Sequence, residues 1–194
     1  QGRRYMKKVT VNGTVASHER YLYRGYLQIA ALDMLNSKNV HRTLLWDPLE
    51  PVATRPLALV QENALYCYGM DFNKDVTEVF AGEGAVAATY DYSPYGTVTG
   101  TGNLVQPVQW SSEMNDHELA LVYYNYRYYN PADGRWINRD PIAEEGGWNL
   151  YGFVGSNSIL ETDILGTAWS SLQTEAGAAL AARQAAEAAA KAAA

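Results

Sequence analysis

Arg127, Asp140 and Asp163 are among the residues whose types could carry out hydrolytic chemistry in this chain. Two carboxyl groups brought into one site cannot both ionise cheaply, so one keeps a proton near neutral pH while the other acts as a base. Such a pair lets a bound water attack a peptide carbonyl while the neutral acid protonates that carbonyl. An arginine beside them would hold one carboxylate ionised and oriented. Arg127 lies 13 residues before Asp140, and Asp163 lies 23 after it. Taken singly, each aspartate reads equally as a turn residue bonding nearby backbone amides. Arg127 by itself reads as an arginine snorkelling on a sheet surface.

Other chemistries find less support. His18, His41 and His117 have no metal-ligand spacing and no cysteine pair to assist them, so neither metal nor cofactor is expected. The single cysteine, Cys67, cannot form an internal disulfide and reads as a buried strand residue. Gly82-Glu83-Gly84 and Gly100-Thr101-Gly102 read as hairpin glycines; neither opens a helix, which argues against a phosphate loop. Asp116-His117-Glu118 reads as an exposed loop. The net charge is −6 with scattered basic residues, which argues against a nucleic-acid surface. No apolar run approaches a membrane span.

The elements that must position these groups are strands. Tyrosine is over-used, at 15 residues against 3 Phe, and 16 glycines punctuate the chain. Tyr, Trp, Val and Thr suit the half-buried face of a sheet, while Gly and Asn-Gly pairs mark its turns. Tyr5 to Val11 runs into Asn12-Gly13, a two-residue turn; Glu19 to Leu32 supplies a strand pair with Gly25 as a bulge or close contact. Strands follow at 43–47, 56–60, 64–70, 76–80 and 85–92, the last closed by Ser93-Pro94-Tyr95-Gly96. Turns every 8–14 residues, with nothing helix-length between them, predict an all-β meander. From Val122 to Tyr129 a period of two puts Tyr124, Tyr126 and Tyr128 on one face. Tyr123, Asn125, Arg127 and Tyr129 then share the other. Ala168 to Ala194 is alanine-rich, with Glu187 and Lys191 four apart, and predicts a short helix.

The densest run of motifs lies between Tyr123 and Gly166. It contains Arg127-Tyr128-Tyr129, Pro131, Gly134-Arg135-Trp136, Asp140-Pro141-Ile142, Asn149-Leu150-Tyr151-Gly152-Phe153, Asn157 and Asp163-Ile164-Leu165-Gly166. This run resembles the Rhs repeat-associated core domain, which ends the shell of Rhs and YD-repeat proteins and of Tc-toxin C subunits. Ser111-Ser112-Glu113 matches a piece that often precedes the tyrosine strand in that family, and Gly84 to Gly96, with Tyr90-Asp91-Tyr92, resembles a YD repeat. The resemblance implies an antiparallel strand spiral of shell type. YD-like strands would occupy residues 1–100, an autoproteolytic core domain 101–167, and an alanine-rich tail 168–194 at the cargo position. It implies Arg127, Asp140 and Asp163 as catalytic residues, with cleavage at Gly166-Thr167-Ala168, between Thr167 and Ala168. An upstream shell and a C-terminal cargo are the implied partners, and the implied location is secreted or cell-surface. Two departures stand out: the family's D-P-x-G-L reads Asp163-Ile164-Leu165-Gly166-Thr167, so a proline and a leucine are replaced. Asn157-Ser158-Ile159 likewise lacks the proline of the family's N-x-P.

Two classes of function follow. One is a shell-closing domain that encloses cargo and cuts its own backbone once. The other is a proteolytically inert structural or binding β module, its tyrosine faces lining a shell or contacting a sugar or partner. Intact Arg127, Asp140 and Asp163 favour the first; Ile164 and Thr167 favour the second. The chain opens mid-pattern and reads as an excision from a longer protein, so its open sheet edges are expected to self-associate.

Overall fold

The computed structural model describes residues 3–49 and 55–171. Nine strands run in chain order through one antiparallel sheet: β1 (Met6–Val11), β2 (Thr14–Arg24), β3 (Leu27–Asp33), β4 (Asn39–Trp46), β5 (Pro56–Gln61), β6 (Ala64–Met70), β7 (Val76–Ala81), β8 (Val86–Tyr92) and β9 (Val98–Gly102). Each pairs only with its sequence neighbours, which makes a pure meander. Tight turns set the register: Asn12 and Gly13 take φ of 49° and 80°, and Glu62 and Asn63 take 51° and 62°. Such left-handed pairs match the twist of the flanking strands. The all-β expectation holds, and the described residues include no α-helix.

A second sheet follows, with β10 (Met114–Asp116), β11 (Leu121–Tyr124), β12 (Arg127–Asn130) and β13 (Arg135–Trp136) in order. It lies between two cores. Met114 pairs with Tyr123, and Tyr123 with Tyr128, so these side chains share a face. They pack against Leu27, Leu44, Trp46, Leu59, Val76 and Val79 of the large sheet. Val122, Tyr124, Tyr129 and Trp136 occupy the other face and meet Phe153 and Val154 from the loop beyond. A last pair, β14 (Glu161–Asp163) with β15 (Trp169–Ser171), closes the described chain.

Several expectations need correction. The run from Val122 to Tyr129 is not one strand. It turns at Asn125-Tyr126, with Asn125 at φ 31°, so Tyr124 stands opposite Arg127 and shares its face, while Tyr128 joins Tyr123. A period-two reading carried through an unrecognised turn inverts every assignment beyond it. Cys67 is exposed, because Tyr66 and Tyr68 take the core side of β6 and leave it on the outer face. Gly100 and Gly102 lie on the β9 arm of the β8–β9 hairpin, not in its turn; a side chain at Gly100 would strike the Tyr90 ring opposite it at 2.9 Å. Asp116 is buried, paired with Arg4 at 2.5 Å and Lys7 at 2.7 Å, and so ties β1 to the second sheet. The helix expected over 168–194 begins instead with the strand β15; residues 172–194 lie outside those described.

Asp75 is a second stitch between the sheets. Its Oδ1 accepts from the Ser111 amide at 2.6 Å, beside the Val76 amide's bond to the Gln109 carbonyl. Burial, and to a lesser degree the charge of Asp71, pushes its carboxyl up to about 7 against the opposing Ser111 amide. A folded-state value above the unfolded one favours the protonated form, so this stabilisation is complete below about pH 4 and is lost as pH rises through about 7. Urea midpoints at pH 5 and pH 8 should therefore differ more for the wild type than for Asp75→Asn, by up to about 3 kcal/mol in unfolding free energy. Equal pH dependence of the two chains would refute this role.

Candidate functional site

The β11–β12 hairpin places Arg127 at the centre of a sealed cluster. The pairing of Tyr124 with Arg127 across a two-residue turn aims the arginine at the small second core, where its guanidinium stacks over the Trp136 ring at 4.1 Å. Stacking on an indole suits this planar, weakly hydrated cation. Each edge of the guanidinium then finds an acceptor. One terminal nitrogen meets Asp140 Oδ2 at 2.8 Å, the other donates to Asp163 Oδ2 at 3.1 Å, and Nε donates to the Gly166 carbonyl at 2.6 Å. All three charged side chains are almost fully buried, with 2% to 5% of their surface exposed.

Local backbone chemistry fixes both carboxylates. Asp140 follows β13 and is held by its own amide, which donates to the Leu150 carbonyl at 3.0 Å. Its Oδ1 accepts from the Ile142 amide, so Asp140-Pro141-Ile142 is a turn that bonds itself. Asp163 ends β14. Its Oδ1 accepts from the amides of Leu165, Gly166 and Thr167 at 3.1, 2.7 and 3.1 Å. The turn-forming and charge-binding readings of this aspartate are therefore both realised, one on each oxygen. Burial pushes Asp163 above the usual carboxylate range, against the pull of Arg127 and the three amides. Burial likewise pulls Arg127 below its ordinary value, opposed by Asp163 and Asp140.

Gly166 is demanded twice over. Its φ is 76°, and a side chain there would lie 2.9 Å from the Tyr124 carbonyl and 3.2 Å from the Arg127 amide. The Leu165 carbonyl accepts from the Tyr126 amide at 3.1 Å, which docks the segment on the hairpin turn. Thr167 is half-buried, and its carbonyl oxygen lies on the Asp140 side of the cluster. A Cβ built on Gly146 would stand 2.6 Å from Asp140 Oδ2 and 3.0 Å from the Thr167 oxygen. Ala168 is exposed, immediately before β15. Arg127, Asp140, Asp163, Gly166 and Thr167 therefore lie together, and Ala168 follows them in the chain.

Two participants were not foreseen as such. Trp136 supplies the stacking plane. Glu113 is a third carboxyl, buried to 2%, pushed well above its ordinary range by burial and by the nearby Asp163 charge. Nothing in the local sequence around Glu113 announces burial; only the docking of the second sheet creates it. Among the described residues no helix is long and apolar enough to cross a membrane, a statement that does not bear on membrane-crossing strands.

No protein-family model matches the chain. Toxin subunit YenC2 of Yersinia entomophaga is 29% identical over 177 residues, covering 85% of this chain and 16% of that protein. RhsA of Dickeya dadantii (strain 3937) is 39% identical over 59 residues, covering 30% of this chain and 4% of its own length. The crystal structure of TcdB2-TccC3 superposes with a TM-score of 0.67 at 25% identity, over 85% of this chain and 9% of the other. The chain spans less than half the length of the curated relatives it matches. The relatives it matches include Rhs and Tc toxin subunits, and its motif run and all-β fold resemble those of an Rhs repeat-associated core domain.

Arg127→Lys tests the cluster as a unit. A lysine is a point donor that cannot reach Asp140, Asp163 and the Gly166 carbonyl together, and it leaves a buried carboxylate without a partner. Denaturant unfolding should show a loss of about 3 kcal/mol. A loss below about 1 kcal/mol, the worth of an exposed pair, would contradict the sealed arrangement.

Proposed function

We propose that this chain is the closing part of an Rhs-type toxin shell and that it cuts its own backbone between Thr167 and Ala168. The observation that carries the reading is the convergence of Arg127, Asp140 and Asp163 on the 165–167 segment, through side chains that are far apart in sequence. In this reading a water attacks the Thr167 carbonyl carbon. Its proton passes to Asp140, and Asp163, the carboxyl that burial disposes toward its neutral form, protonates the carbonyl oxygen. Collapse of the diol breaks the C–N bond; Asp140 returns its proton to the Ala168 nitrogen, and the second hydroxyl restores the proton to Asp163. Arg127 holds both acids in place and compensates their charge. Cleavage is a single turnover, because β15 pairs with β14 and keeps the product strand beside the site.

The same reading assigns residues 1–100 to a YD-type shell wall, 101–167 to the core domain, and 168–194 to the cargo position. The full protein would be secreted or presented at a cell surface, with cargo enclosed by the upstream shell. Exposed Leu45, Val60, Leu65 and Val86 on the outer face of the large sheet, and the edges β1 and β9, suit contact with further shell strands or with a second copy.

One observation favours the competing reading, an inert β module. Asp163 is saturated by Arg127 and three amides, as a structural lock would be. Intact-mass analysis separates the two. Cleavage predicts a separate peptide starting at Ala168, lost in Asp140→Asn. The double variant Ile164→Pro, Thr167→Leu, which restores the family motif, should cleave faster, and acidification should accelerate cleavage because one carboxyl must carry a proton. A chain that stays whole in the wild type and in the double variant alike establishes the inert module.

A further inference from the structure

The half-turn Ala143–Gly146 lies against the site, and its last residue makes an unusual approach to it. A Cβ on Gly146 would sit 2.6 Å from Asp140 Oδ2, 3.1 Å from Asp140 Cγ and 3.0 Å from the Thr167 carbonyl oxygen. The first distance is too short for a real methyl group, and the other two are tighter than nearly all such contacts. Asp140 cannot simply swing aside, because Oδ1 is bonded to the Ile142 amide and Oδ2 to Arg127. The Thr167 oxygen belongs to backbone held through Asp163 at the preceding amide. Gly146 does not have the left-handed φ that would itself require glycine; the neighbouring Gly147 does, at 124°. Space, not conformation, therefore explains the glycine at 146. Gly146 is half-buried and Asp140 is buried, so this glycine stands between the carboxylate and the surface.

We propose that Gly146 is a positioning residue of self-cleavage: its bare Cα keeps open the aperture through which Asp140 faces the Thr167 carbonyl and water reaches them. The inference rests on the cleavage reading above. It needs no additional group, since the only co-reactant is water. A methyl at 146 narrows the aperture from the side where carboxylate and carbonyl come together.

The pair Gly146→Ala and Gly147→Ala separates space from backbone strain. A Cβ at Gly147 meets nothing within 4 Å, so that substitution strains the chain at positive φ without filling the aperture. Cleavage is followed by intact mass during cell-free synthesis of the full chain, with thermal melting of each product. Gly146→Ala should cleave roughly 100-fold more slowly, the scale of an ~1 Å misplacement of the attacking water or the carbonyl, and should also melt earlier because its methyl overpacks a fixed site. Gly147→Ala should melt earlier yet cleave at the wild-type rate. Wild-type cleavage by Gly146→Ala overturns the inference while leaving self-cleavage intact. A wild-type chain that never cleaves overturns both. Because both variants melt earlier, the pH–rate profile separates a narrowed aperture from a displaced carboxylate. A narrowed aperture lowers the rate at every pH with the same midpoint, whereas a shifted midpoint means a displaced Asp140 and counts against the proposal.

Discussion

One buried guanidinium organises the packing of the second sheet with the described segments that follow it. Arg127 is sandwiched against Trp136 and shared between two buried carboxylates and a backbone carbonyl. Removing such ions from water costs several kcal/mol each, and well-packed apolar residues of similar size would serve stability as well or better. A cluster this costly is easier to understand as chemistry than as glue. Its members also come from four places: the β11–β12 hairpin, the turn after β13, the end of β14 and the loop that follows. The site therefore exists only once those segments are packed together.

The surrounding architecture accounts for that packing. The second sheet is a thin layer with a hydrophobic core on each side, so its faces must be rigidly distinguished. Tyr123 and Tyr128 anchor one face to the large sheet, while Tyr124, Tyr129 and Trp136 build an aromatic box with Phe153 on the other. Arg127 sits at the edge of that box. Aromatic pairs in tilted and edge-on arrangements fix both distance and orientation, which a catalytic or locking arginine requires. The first strand reaches into the same layer through Arg4 and Lys7 on Asp116, and the Arg4 amide bonds the Tyr123 hydroxyl at 2.6 Å. The two sheets are consequently one packed unit in the described residues, with their interface running beneath the site.

Asp163 illustrates why a motif can be read two ways without contradiction. Its two oxygens do different work: one organises the Leu165–Thr167 turn, and the other meets Arg127. A turn aspartate with one free oxygen is a convenient way to place a backbone carbonyl at a fixed distance from a charge. Ile164 in place of the family's proline leaves that arrangement standing, since the amides that bind Asp163 belong to the residues after it. Its effect is therefore expected on the rigidity of the segment more than on its geometry.

Much of the fold was legible in local sequence, because a meander is built from contacts between neighbours. Asn12-Gly13, Glu62-Asn63 and the alternating apolar residues specify strands and tight turns through backbone sterics that need no distant partner. The residue types of the site were legible too, as were the gaps between Arg127, Asp140 and Asp163. What local pattern could not decide was which way side chains point and what they meet. The turn at Asn125-Tyr126 has no glycine to announce it, so it reversed the faces assigned to Tyr124 and Tyr128. Cys67 and Asp116 exchanged their expected environments, because burial is decided by which sheet face finds a partner. Glu113 and Gly146 joined the site only through packing. Sequence by itself determined the strands, the turns and the identity of the ionisable groups; tertiary structure alone brought the arginine, the aspartates and the Thr167 carbonyl together, since their proximity depends on segments that share no local contact.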